Sequence, residues 1–111
     1  KGDIVSASFD PSAGKEIQKR RPALVISNAK YAKMTGLAVV CPISHAEGNR
    51  LKSTGLLVPL HQKKADGYVN PLQFHTFDFR RRRFELIEHI SADTLAQTLQ
   101  TITDIINATE P

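Results

Sequence analysis

DPSAGKEIQKRRPALVIS, residues Asp10 to Ser27, divides into two physically different halves. The first is a loop. Pro11, Ser12 and Gly14 are turn formers, and Lys15, Glu16, Gln18, Lys19, Arg20 and Arg21 follow with almost nothing apolar to bury. The second half, Ala23-Leu24-Val25-Ile26, is a short apolar run that reads as a strand buried on both faces. Pro22 stands at the join. It keeps Arg21 extended and has no N–H to give to a sheet ladder. A cationic loop with one carboxylate is therefore tethered to a rigid core strand, the arrangement by which a scaffold holds a functional group in place.

Working outward, Ile4 to Phe9 alternates Val5, Ala7 and Phe9 against Ser6 and Ser8, the pattern of a half-buried first strand. After the central stretch, Asn28 to Met34 reads as a short helix, capped by Ser27 or Asn28 and ended by Gly36. Leu37 to Cys41 is a second core strand closed by Pro42, and Ser44 to Thr54 is a polar loop. Leu56-Leu57-Val58 forms a strand before Pro59, and His61 to Gly67 is a basic turn region. Tyr68-Val69, Gln73 to Phe77 and Phe84 to Ile90 complete the strands. Ser91 caps one long helix, with Ile90 and Leu95 placed as a hydrophobic staple and Leu95, Leu99, Ile102 and Ile106 as an apolar stripe. The sum is a mainly β fold of one domain spanning residues 1–111: a small twisted β-barrel with a short helix and a C-terminal amphipathic helix packed on it.

The charges are unevenly spread. Residues 1–83 hold all fifteen Lys and Arg against six acids, a balance of +9, whereas residues 84–111 hold five acids and no Lys or Arg. A basic body suits a polyanionic partner such as nucleic acid. Cys41, the only cysteine, sits in an apolar strand as an inert core residue, so no internal disulfide is expected and a reducing cytoplasm is the expected location. No apolar run is long enough to span a bilayer. His45, His61, His75 and His89 never fall at close ligand spacing with Cys or carboxylates, so neither a metal site nor a cofactor is expected, and the single, dispersed glycines form no phosphate loop.

Several side chains admit two readings. Ser44 is an ordinary loop serine or a hydroxyl presented at the end of a core strand; His45 binds phosphate, transfers a proton or is merely solvated. Arg80 to Arg83 is a solvated basic face, tracks a phosphate backbone or meets an acidic partner. Glu16 and Arg21 are a surface ion pair worth about 0–1 kcal/mol, or a catalytic pair. Cleavage of an RNA phosphodiester needs the 2′-OH deprotonated, the leaving 5′-oxygen protonated and the phosphorane charge stabilised. A carboxylate serves the first task and a fixed guanidinium the third. Composition leaves both readings open.

The motifs, taken in order, decide between them. Gly2-Asp3-Ile4-Val5, Phe9-Asp10-Pro11, Gly14-Lys15-Glu16, Arg21-Pro22-Ala23-Leu24-Val25-Ile26-Ser27, Lys33-Met34-Thr35-Gly36-Leu37, Val40-Cys41-Pro42-Ile43-Ser44 and Gln73-Phe74-His75-Thr76-Phe77-Asp78 together resemble the MazF/PemK (Kid-type) toxins of bacterial toxin–antitoxin pairs over nearly the whole chain. The resemblance implies an SH3-like barrel, a homodimer, and a metal-independent endoribonuclease that cuts single-stranded RNA at short sequences and is silenced by an acidic antitoxin. It places the catalytic roles on Arg21, Glu16 and Ser44: Arg21 stabilises the phosphorane, Glu16 is the base and Ser44 holds the scissile phosphate. The expected products are a 2′,3′-cyclic phosphate and a 5′-OH. Lys15, Lys19, Arg20, His45, Gln73, His75 and Phe77 are the expected RNA contacts. The chain departs from the family pattern at Leu72, where an acid is usual, at Asn70, where Kid-type members carry an arginine, and at His75, a position of Lys or Arg. His75 is a candidate proton donor where Arg21 is a poor one. Two rivals remain at this level: a gyrase-binding toxin of the same architecture (CcdB-type), and an RNA module that binds without cutting.

Overall fold

The computed structural model describes residues 1–9, 20–45, 55–62, 64 and 66–109. Along the chain these form β1 (Asp3–Ser8), β2 (Arg20–Val25), α1 (Ala29–Thr35), β3 (Leu37–Ser44), β4 (Val58–His61), β5 (Asp66–Val69), β6 (His75–Asp78), β7 (Glu85–His89) and α2 (Ala92–Asn107). The strands make one antiparallel sheet in the order β4-β5-β3-β2-β1-β7, with β6 also paired to β3. The sheet curls into a half-barrel. Its two end strands are drawn together by side chains: Gln62 Nε2 donates to the His89 carbonyl at 3.0 Å and Glu88 accepts from the Lys64 amide at 3.1 Å. The expected mainly β fold with two helices is present, as a curl laced at its open side.

β3 is the spine. It pairs with β2 through Val40–Pro42, with β6 through Leu37–Val40 and with β5 through Ile43–Ser44. The sequence reading ended this strand at Pro42, but it continues to Ser44 because a proline forfeits only one ladder bond. Pro42 still accepts from the Asn70 amide at 2.9 Å. Pro59 likewise lies inside β4 rather than after a strand; β4 ends the sheet, where a missing N–H is tolerated.

Neighbouring residues of β1, β2 and β3 are buried on opposite faces, so both faces of the sheet carry a core. One cluster joins Ile4, Leu24, Cys41, Ile43, Val58, Leu60 and Val69, and Ile87, Ile90, Leu95 and Ile102 pack on it. The other joins Val5, Ala23, Val40 and Phe77 with Phe9, Val25 and Phe84. Burial of this kind contributes roughly 25 cal/mol per Å² of apolar surface.

Both helices begin and end where their caps dictate. Asn28 accepts from the Tyr31 amide at 2.8 Å to start α1, and Gly36, at φ 73°, ends it. Ser91 caps α2 by accepting from the Thr94 amide. Leu95 and Ile102 hold α2 on the first cluster, while Ile106, the last residue of the expected stripe, is exposed beyond the sheet.

Candidate active site

Strand register locates the candidate residues. β2 meets β3 as Ala23↔Pro42, Leu24↔Cys41 and Val25↔Val40. Continuing that register by two residues sets Arg21 opposite Ser44. Because side chains alternate across a strand, Arg21 and Ser44 lie on the face of Ala23, Pro42 and Val40. β6 meets β3 as Val40↔His75 and Ala38↔Phe77, which puts His75 and Phe77 on that same face. Arg21 and Ser44 are exposed, and neither side chain has a hydrogen bond or ion pair among the described residues. An exposed guanidinium and an exposed hydroxyl on one face are suited to donate to a phosphate.

His75 is further off. It stands beside Val40, four residues along β3 from Ser44 and across the strand from β2. Strand rise alone makes that about 13 Å, too far for direct proton transfer at the Arg21–Ser44 pair within one chain. Its surroundings are aromatic instead. The imidazole stacks on Phe77 with centroids 5.4 Å apart, and Phe9 packs edge-on against both rings at 5.8 and 5.0 Å. Phe77, expected to stack on RNA, is only 9% exposed and belongs to the second core cluster. The Arg82 guanidinium lies 4.5 Å from its centroid. Phe77 therefore supports His75 rather than offering an open ring. Gln73 is exposed just before β6.

Arg20 is on the opposite face from Arg21, and two of its three guanidinium nitrogens are bonded to the protein. Its Nε donates to Ser6 Oγ at 2.9 Å, and its Nη2 donates to the Ser6 carbonyl at 2.6 Å and to the Arg83 carbonyl. Nε and Nη2 of Arg20 are thus held by the protein, while Nη1 has no hydrogen bond among the described residues. His45 is exposed directly after Ser44 and borders a cleft of about 460 Å³ whose lining includes both Arg20 and Arg21 with Gln62, Lys64 and Asp66. Gln62 and Lys64 escaped the sequence reading because a basic turn region does not reveal which sheet end it reaches. Lys15, Glu16 and Lys19 lie outside the described residues.

Two glycine and asparagine positions support the site. A Cβ on Gly67 would come within 2.7 Å of the Ser44 carbonyl, so only glycine permits β5 to seat against the end of β3. Asn70 is buried, and its Oδ1 accepts from the Leu72 amide at 3.0 Å.

The sequence matches the family model of the PemK-like, MazF-like toxin of type II toxin-antitoxin systems over residues 1–106. The chain belongs to this toxin family. It is 30% identical to endoribonuclease PemK of Escherichia coli over 108 residues, covering 96% of this chain and 80% of that protein. To the endoribonuclease toxin ChpB of Escherichia coli strain K12 it is 39% identical over 85 residues, 74% of this chain and 72% of ChpB. Among solved structures, a MazE–MazF complex from Deinococcus radiodurans superimposes with a TM-score of 0.80 at 33% identity, covering 97% of this chain and 95% of that one. Seen within the MazF/PemK family, the departure at Asn70 has a physical meaning. Asn70, the position of that expected departure, is a buried residue that shapes the turn through Pro71 and Leu72.

Proposed function

We propose that this chain is the toxin of a type II toxin–antitoxin pair and acts as a metal-independent endoribonuclease on single-stranded RNA, cutting at short sequences. The observation that carries the reading is the β2–β3 register, paired as far as Ala23↔Pro42, which would bring the exposed Arg21 and Ser44 opposite each other two residues further on. The naming of PemK and ChpB as endoribonucleases supports it.

In the proposed reaction the 2′-OH loses its proton to Glu16 and attacks the adjacent phosphorus. The bond to the 5′-oxygen breaks, leaving a 2′,3′-cyclic phosphate and, once that oxygen is protonated, a 5′-OH. Arg21 holds the negative charge that builds on the phosphorane, and Ser44 orients the phosphate through a hydrogen bond. Lys15, Lys19, His45, Gln73 and His75 bind the flanking RNA. The chain acts in the cytoplasm as a homodimer, and an acidic antitoxin occupies the basic surface when growth is to continue. Solved complexes of MazF with MazE support that last partner.

The test is incubation of the purified protein with a long mRNA in EDTA, mapping cut sites beside an Arg21→Ala control. Sequence-specific cuts bearing 5′-OH ends are expected from the wild type. The variant should be slower by about 10²–10³-fold, the effect of removing one donor to a developing charge. Intact RNA together with blocked gyrase supercoiling would replace this reading by the CcdB-type one; a gel shift without cuts would leave a binding module.

A further inference from the structure

We infer that Arg20 is a positioning residue, one that fixes the start of β2 and thereby aims Arg21, without itself touching RNA; this rests on the ribonuclease reading above. Arg20 and Arg21 are adjacent and chemically identical, yet β2 sends them to opposite faces. Arg20 stands opposite Ser8 in β1 and reaches diagonally to Ser6, taking both its hydroxyl and its carbonyl. The same guanidinium donates to the Arg83 carbonyl beyond β6 and lies 3.9 Å from Glu85 of β7. One planar fork thus ties β1, β2 and the approach to β7 at a single point.

The acceptor side of the clamp is itself constrained. Arg83 has φ 51°, the only positive φ at a non-glycine position among the described residues. That conformation is disfavoured for a long side chain and persists only where its surroundings hold it. Here the surroundings are a closed turn: Asp78 Oδ1 accepts from the Arg80 and Arg81 amides, Arg83 N–H donates to the Arg80 carbonyl, and Phe84 N–H to the Phe79 carbonyl. The turn delivers a carbonyl to Arg20. A lysine has no second arm with which to reproduce the fork.

Arg21 comes one residue later, with no partner of its own among the described residues. Its aim is set by where β2 joins the sheet, and Arg20 sets that point. A misplacement near 1 Å at a reacting centre costs on the order of a hundredfold in rate.

The experiment measures single-turnover cleavage at saturating RNA, RNA affinity at several salt concentrations, and backbone amide exchange in β1 and β2. The proteins are the wild type, Arg20→Gln, Arg20→Lys and Ser6→Ala. Arg20→Gln should slow cleavage by about tenfold or more, Arg20→Lys should not restore it, and Ser6→Ala should slow it in the same direction by less. The slope of log affinity against log salt should stay at the wild-type value, and amide exchange along β2 should quicken. A slope shallower by about 0.7, the loss of one phosphate contact on a single strand, with cleavage unchanged at saturation, would overturn the inference and return Arg20 to the RNA. Should the Arg20 variants fail to fold, Ser6→Ala decides alone: wild-type cleavage and exchange overturn the inference. Should the wild type itself leave RNA intact, the ribonuclease reading fails, and amide exchange in Arg20→Gln still reports whether the clamp fixes β2.

Discussion

Three residues show how far one side chain's surroundings decide its role. His75 carries an imidazole suited to proton transfer near neutral pH, but it is stacked on Phe77 and set well along β3 from Ser44. His75→Gln should therefore weaken RNA binding while leaving the pH profile of cleavage in place; a lost or displaced limb of that profile would make it a proton carrier. Cys41 is fully buried, and burial pushes its thiol up from 9.0 to about 12. The neutral thiol is thus favoured in the fold. Its contribution to stability is full below pH 9.0 and is lost as pH rises towards about 12, because the unfolded chain ionises first. Native protein should resist iodoacetamide at neutral pH and react once unfolded, and Cys41→Ala should flatten the alkaline fall in stability. Arg21 is the contrast: a charged group left exposed on a strand, where it has no structural task among the described residues.

At the scale of elements, β3 carries most of the architecture and most of what the sequence hid. Its apolar run, the caps at Asn28, Gly36 and Ser91, and the staple at Ile90 and Leu95 were legible because each depends on neighbours in the chain. The passage of β3 through Pro42 to Ser44 depends on β2 and β5, and no local pattern announces it. The β2–β3 register that relates Arg21 to Ser44 was equally out of reach, since register is a property of two strands. The bonds of Arg20 were hidden for the same reason: its acceptors, Ser6 and Arg83, are distant in sequence. Gly67 tests how tightly the end of β3 is held. At φ 121°, and with the Ser44 carbonyl 2.7 Å from any added Cβ, Gly67→Ala should destabilise the fold. The cost should be about 1–3 kcal/mol, read as a lower urea midpoint at unchanged slope, with cleavage falling in the protein that remains folded. An unchanged midpoint would mean that β5 and β3 part without cost.

Over the whole molecule, charge and fold divide the surface between them. The basic balance of +9 belongs to residues 1–83, and the five acids without a base belong to the segment that forms β7 and α2. Arg21, Ser44 and His75 share the face of the second cluster, whereas α2 packs through Leu95 and Ile102 on the first. On the ribonuclease reading, RNA is expected at Arg21 and Ser44 and away from the acidic α2. Each phosphate contact on a single strand should add about −0.7 to the salt slope of binding, and charges on α2 should add nothing. Asp93 makes the sharpest probe, because it sits in the first turn of α2, where a carboxylate complements the helix dipole. Asp93→Lys reverses that interaction and should cost about 0.3–1 kcal/mol of stability, visible as a small drop in unfolding midpoint. Cleavage rate and salt slope should both match the wild type, even though the substitution raises the net charge by two and would strengthen any RNA contact nearby. Faster cleavage or a steeper slope in Asp93→Lys would bring α2 onto the RNA path and break the separation of the two faces.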